Sequence, residues 1–89
     1  MNVEILFFGQ LRELTAVRQT TVAMNDGARL VDLIEHLGEE YGIAFRHEVN
    51  NIRRLQIMIN GRQHTLLGGM EAPLKDGDTV VLLPPIFGG

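Results

Sequence analysis

Residues 79–89 read TVVLLPPIFGG. A strand-like run meets two prolines, and the stretch closes on Gly88 and Gly89. In an extended chain Val80 and Leu82 fall on one side and Val81 and Leu83 on the other. A strand apolar on both sides sits centrally in a sheet or offers one face to a partner. Pro84 and Pro85 have no N–H for a sheet ladder, so the strand must stop there and the chain must leave on an extended path. No charged side chain follows Asp78.

Working outward, NVEILFF (2–8) has the same character, with Val3, Ile5 and Phe7 on one face and Leu6 and Phe8 on the other. GQLRELT (9–15) predicts one short helical turn with Leu11 and Leu14 pointing inward. RQTTVAM (18–24) alternates through Thr20, Val22 and Met24, a second strand pairing with the first. NDG (25–27) is a turn in which Asp26 is expected to cap a helix. Leu30, Leu33, Ile34, Leu37 and Tyr41 then recur at helical spacing, with Asp32, Glu35, Glu39 and Glu40 on the wetter side. Gly42 suits the helix end, and Gly38 is expected where the helix packs closely on the sheet. Residues 43–54 show no clear period. LQIMIN (55–60) alternates through Leu55, Ile57 and Ile59, and Asn60-Gly61 is a strong hairpin signal. A short return strand near 62–65, an irregular stretch and the turn KDGD (75–78) lead into the final strand.

The order β-β-α-β-β-β predicts an α+β domain, residues 1–83, with a mixed sheet of four to five strands packed on one main helix. This is the connectivity of a β-grasp, in which the first and last strands are the central pair. Residues 84–89 form an extended C-terminal tail.

The bulk composition narrows the function. At 89 residues, 45% hydrophobic and 21% charged, the chain is an ordinary single globular domain. A net charge of −3 with only eight basic residues argues against a nucleic-acid partner. There is no cysteine and no serine, which removes thiol and serine nucleophiles and thiolate metal sites. His36, His47 and His64 lack metal-ligand spacing, and Glu39–Glu40 and Asp76–Asp78 read as solvated helix and turn residues. Apolar runs are too short to span a membrane and the start has no basic n-region, so a cytoplasmic protein is expected.

The chemistry lies in the tail. Six residues from Pro84 reach up to ~20 Å, and Gly88 and Gly89, lacking Cβ, fit a channel that larger residues would block. The reactive group is the Gly89 carboxylate, inert as an acyl donor until another protein activates it, for instance with ATP. Two glycines end a chain by chance about once in two hundred, so the pair gains weight only beside the Pro-Pro exit and the β-grasp order.

With ILFFGQLREL, INGR (59–62) and PLKDGDTVVLLPPIFGG in place, the chain resembles the MoaD-type sulfur carrier, the small subunit of molybdopterin synthase in the ubiquitin-like superfamily. Thiazole-branch carriers of the ThiS type share the NG, DGD and GG elements. Two positions depart from the pattern: Thr15, where glycine is common, and Phe87, where a small residue is common. The Phe87 ring either limits how far the tail enters a partner channel or anchors it in a partner pocket. The resemblance implies that a ubiquitin-activating-type (MoeB-type) enzyme adenylates Gly89 with ATP and that the product is converted to a thiocarboxylate. A large MoaE-type catalytic subunit would then use the sulfur for the dithiolene of molybdopterin. It implies no cofactor bound by this chain and no catalysis of its own. Phe8, Met58, Leu83 and Ile86 are expected to form an apolar docking patch on the sheet face away from the helix, continued by Pro84, Pro85 and Phe87. Three alternatives remain: a ThiS-like sulfur carrier for another pathway, a protein modifier joined through Gly89 to lysines, and a non-covalent binding module.

Overall fold

The computed structural model describes residues 1–51 and 54–85. Five strands, β1 (Asn2–Phe7), β2 (Gln19–Ala23), β3 (Gln56–Ile59), β4 (Arg62–Gln63) and β5 (Thr79–Leu83), form one sheet in the order β2-β1-β5-β3-β4. β1 and β5 pair in parallel at the centre, and every other pairing is antiparallel. Helices α1 (Gly9–Thr15), α2 (Leu30–Tyr41) and α3 (Ile43–Asn51) complete the chain, with two 3₁₀ turns, His64–Leu67 and Gly69–Glu71, before β5. This is the ubiquitin-like β-grasp.

The register stacks the alternating residues into rows. Phe7, Leu82 and Ile57 line up across the three inner strands, and Ile5, Val80 and Ile59 form the next row. All six are buried, against Leu30, Leu33 and Leu37 of α2. Burying such a side chain contributes about 1.5–3 kcal/mol, so these rows hold the sheet to its helical layer. Asn60 (φ 52°) and Gly61 (φ 81°) both take left-handed backbone in the β3–β4 hairpin, as a two-residue turn matched to strand twist requires.

Several local expectations are corrected. Asp26 does not cap α2; it stays in the exposed turn, with its carboxylate 3.8 Å from the Met1 amine. Residues 28–29 are held extended instead, because Leu30 N–H donates to the Ala72 carbonyl (2.9 Å) and Leu74 N–H to the Ala28 carbonyl (3.0 Å). The helix therefore begins after Arg29, whose N–H donates to the Asp32 carboxylate (2.8 Å). In α1, Leu11 and Thr15 are buried while Leu14 is 39% exposed. The short helix ends at Ala16 in left-handed backbone, and the buried Thr15 hydroxyl donates to the Val17 carbonyl (3.1 Å). Gly38 faces α3 and not the sheet: a Cβ there would come within 2.7 Å of Arg46 Cγ.

The unreadable stretch 43–54 contains α3, which follows Gly42 directly. Its single buried side chain is Phe45. That ring meets Phe7 edge-on at a centroid distance of 6.0 Å and Tyr41 at 5.7 Å, and Phe7 meets Tyr41 at 5.6 Å. Burial, and next the Glu40 charge, hold the Tyr41 hydroxyl above its ordinary pKa against the opposing Thr20 hydrogen bond.

Asp78 is also unlike its expected solvated role. It is buried, and its carboxylate accepts from Asn60 Nδ2 and from the Lys75 N–H, both at 2.8 Å. Asn60 Oδ1 in turn accepts from the Thr79 N–H at 2.9 Å. One carboxylate thus ties the β3–β4 hairpin to the start of β5. Replacing Asp78 with Ala should lower the unfolding free energy by about 2 kcal/mol, since it removes two part-buried hydrogen bonds to a charged acceptor. Phe45→Ala should cost about 3–5 kcal/mol. Urea denaturation of both variants checks these values.

Candidate docking face and C-terminal exit

The buried rows face the helical layer on one side of the sheet, and the outward residues of the inner strands form the other face. Leu6, Val81 and Met58 occupy one row across β1, β5 and β3, since Val81 pairs with both neighbours. Leu83 lies in the next row, opposite Gln56. Leu6, Met58, Val81 and Leu83 are half-buried, and Phe8, still in extended backbone, is 40% exposed. Phe8, Met58 and Leu83 therefore lie on the sheet face away from the core. The structure adds Leu6 and Val81, which the same alternation marked but which only the register joins to Met58.

The face is divided. Toward the start of β5 it is polar, with Thr79 opposite Glu4 and Gln19 Nε2 donating to the Glu4 carboxylate (2.7 Å). Toward the end of β5 it is apolar. Two more exposed apolar side chains, Leu14 and Val17, belong to the connection between β1 and β2, whose Arg18 carbonyl accepts from the Phe7 N–H (2.9 Å).

The exit from β5 is set by a close approach of two residues. Pro84 is buried, and a Cβ built on Gly9 would lie 3.4 Å from Pro84 Cγ. Gly9 also has φ 57°, in the left-handed region. Pro85 is half-buried. Ile86, Phe87, Gly88 and Gly89 lie outside the described residues.

The other candidates do not converge. His36 lies on α2, His47 on α3 and His64 in the first 3₁₀ turn. Among the described residues no group of three His, Asp or Glu side chains could hold a metal ion. What remains is an apolar sheet face bordering a fixed exit for a tail that ends in Gly-Gly.

The ThiS family model matches residues 5–89. The chain belongs to the ThiS family. It is a small sulfur carrier of the ThiS/MoaD type, and the resemblance to MoaD-type carriers holds. It is 34% identical to small archaeal modifier protein 3 of Haloferax volcanii, and 29% identical to the molybdopterin synthase sulfur carrier subunit of Chlamydomonas reinhardtii. Both alignments cover 100% of this chain and of the relative. Among solved structures it resembles a chain in the complex of subunits 1 and 2 of the molybdopterin-converting factor from Helicobacter pylori. That match has a TM-score of 0.64, 29% identity and complete coverage of both chains.

Gly9→Ala should destabilise this ThiS-family chain by about 1–2 kcal/mol, the cost of left-handed backbone for a residue with Cβ. Thermal unfolding beside wild type measures it.

Proposed function

We propose that this protein carries sulfur on the carboxyl group of Gly89 for molybdopterin biosynthesis. The observation that carries the reading is the apolar stripe Leu6–Val81–Met58 with Leu83, which runs to the Pro84 exit and so couples docking to delivery of the tail. The Gly89 carboxylate attacks the α-phosphate of ATP in a MoeB-type adenylating enzyme, and pyrophosphate leaves. Sulfide, or an equivalent sulfur nucleophile, then attacks the acyl carbon, AMP leaves, and a thiocarboxylate remains. A MoaE-type large subunit takes the charged tail and transfers the sulfur to the growing dithiolene.

In this account the chain has no catalytic role and no cofactor of its own, and ATP belongs to the activating partner. Gly88 lets the terminus enter a narrow channel. Phe8, Met58, Leu83, Pro84, Pro85, Ile86 and Phe87 hold the partner. No described helix is long and apolar enough to cross a membrane, which accords with a cytoplasmic site of action. Neither nucleic acid nor membrane is a partner in this reading. The likeness to a small archaeal modifier protein favours a second use of the same adenylate, in which a lysine amine replaces sulfide as the nucleophile.

Leu83→Asp should remain folded by circular dichroism, because the side chain points away from the core. It should weaken binding to the adenylating enzyme at least about tenfold, or ~1.4 kcal/mol. Unchanged affinity would remove Leu83 from the interface. Adding one residue after Gly89 should leave binding intact and abolish ATP–pyrophosphate exchange. Exchange at the wild-type rate would contradict activation at Gly89.

A further inference from the structure

The chain contains one lysine, Lys75. It is exposed in the turn before β5, where its N–H is fixed on the Asp78 carboxylate (2.8 Å) and its carbonyl accepts the Asp78 N–H (3.1 Å). Lys75 lines a cleft of about 480 Å³ beside the β3–β4 hairpin. Ile59, Leu67 and Pro73 give that cleft an apolar lining, and Arg62 gives it a second cation. Asp78 also borders it, but each of its two carboxylate oxygens already accepts a hydrogen bond, from Asn60 and from Lys75 N–H.

A cleft with an apolar part, the Lys75 side chain on a backbone held by Asp78, and an arginine suits an extended apolar peptide ending in an anion. This chain carries such a peptide: its last residues read IFGG and end in a carboxylate. We infer that Lys75 is an acyl-acceptor site for the activated Gly89 of a second copy of this chain, the inference resting on the activation of Gly89 proposed above. The donor must be another copy because of strand direction. Lys75 precedes β5 and Pro84 follows it, and five strand residues span roughly 17 Å. A fully extended tail of six residues reaches ~20 Å, but reversing at Pro84-Pro85 leaves four residues, ~13 Å, for the way back along the sheet, short of that span.

The step is an ordinary acyl transfer. The Lys75 nitrogen attacks the Gly89 acyl carbon of the adenylate, a C–N bond forms as the C–O bond to AMP breaks, AMP leaves, and the amine proton passes to water. Arg62 positions the incoming anionic group. Sulfide and Lys75 therefore compete for one adenylate, so a shortage of sulfur donor diverts the carrier into covalent dimers.

The test incubates the full chain with the adenylating enzyme of its own cells and ATP, without a sulfur donor, and follows pyrophosphate release and dimer formation together. Wild type should release pyrophosphate and form dimers, whose tryptic peptides carry residues 76–89 as a branch on Lys75. Lys75→Arg should lose at least about tenfold of the dimer, and Arg62→Glu should lower its yield by a smaller factor. Dimers that persist in Lys75→Arg, linkage through the Met1 amine, or pyrophosphate release without dimers would overturn Lys75 as acceptor and leave Gly89 activation standing. Absence of pyrophosphate release would overturn activation and this inference with it.

Discussion

The parallel ladder between β1 and β5 organises the molecule. Parallel neighbours cannot be joined by a tight turn, so the chain between them must cross over and return. Here the return is made by α2 and α3, which cover one face of the sheet, while β2 and β3 close against the outer edges of the central pair. Three consequences follow. The buried rows Phe7–Leu82–Ile57 and Ile5–Val80–Ile59 form where the central strands are in register. Among the described residues, no helix or second layer covers the opposite face. The end of β5 emerges from the middle of the sheet beside α1, so the tail is launched from the best-supported strand.

Local devices protect this arrangement where the strands alone would be weak. β4 has only two residues, and its hairpin would add little by itself. The Asn60–Asp78–Lys75 cluster ties the hairpin to the start of β5, where the side chain of a single acid satisfies two donors. At the other end, the buried Pro84 lies beside Gly9, where a built Cβ would sit 3.4 Å from Pro84 Cγ. Both ends of β5 are thus fixed, one by hydrogen bonds and one by close packing. The two ends serve different chemistry: the exit delivers Gly89, and the entry holds the one lysine.

The parts of the fold that were legible in the sequence are those with a strong period. β1, β3, β5 and α2 announce themselves through alternation or helical spacing, and the β-grasp connectivity, to which two apolar faces are suited, places β1 and β5 at the centre. α3 was hidden because only Phe45 of its residues is buried, with Ile43, Arg46 and His47 all exposed, so no stripe forms. The start of α2 is not legible locally because the bridge from Arg29 to Pro73 is a long-range contact that no local pattern reports. Asp78 reads locally as a solvated turn residue for the same reason, since Asn60 lies eighteen positions away. The docking face was half legible: alternation marked the outward residues, but joining Leu6 to Met58 through Val81 needs the strand order. The chemistry of the tail rests on composition and on its place after Pro84-Pro85, and those signals are local.

The central claim is that the Gly89 carboxyl group carries sulfur, and the intact mass of the protein purified from its own cells tests it most directly. The account predicts a fraction whose mass is increased by the replacement of one oxygen with sulfur, with the change confined to the C-terminal peptide. An unmodified terminus in cells that contain an active adenylating enzyme and a sulfur donor would contradict it.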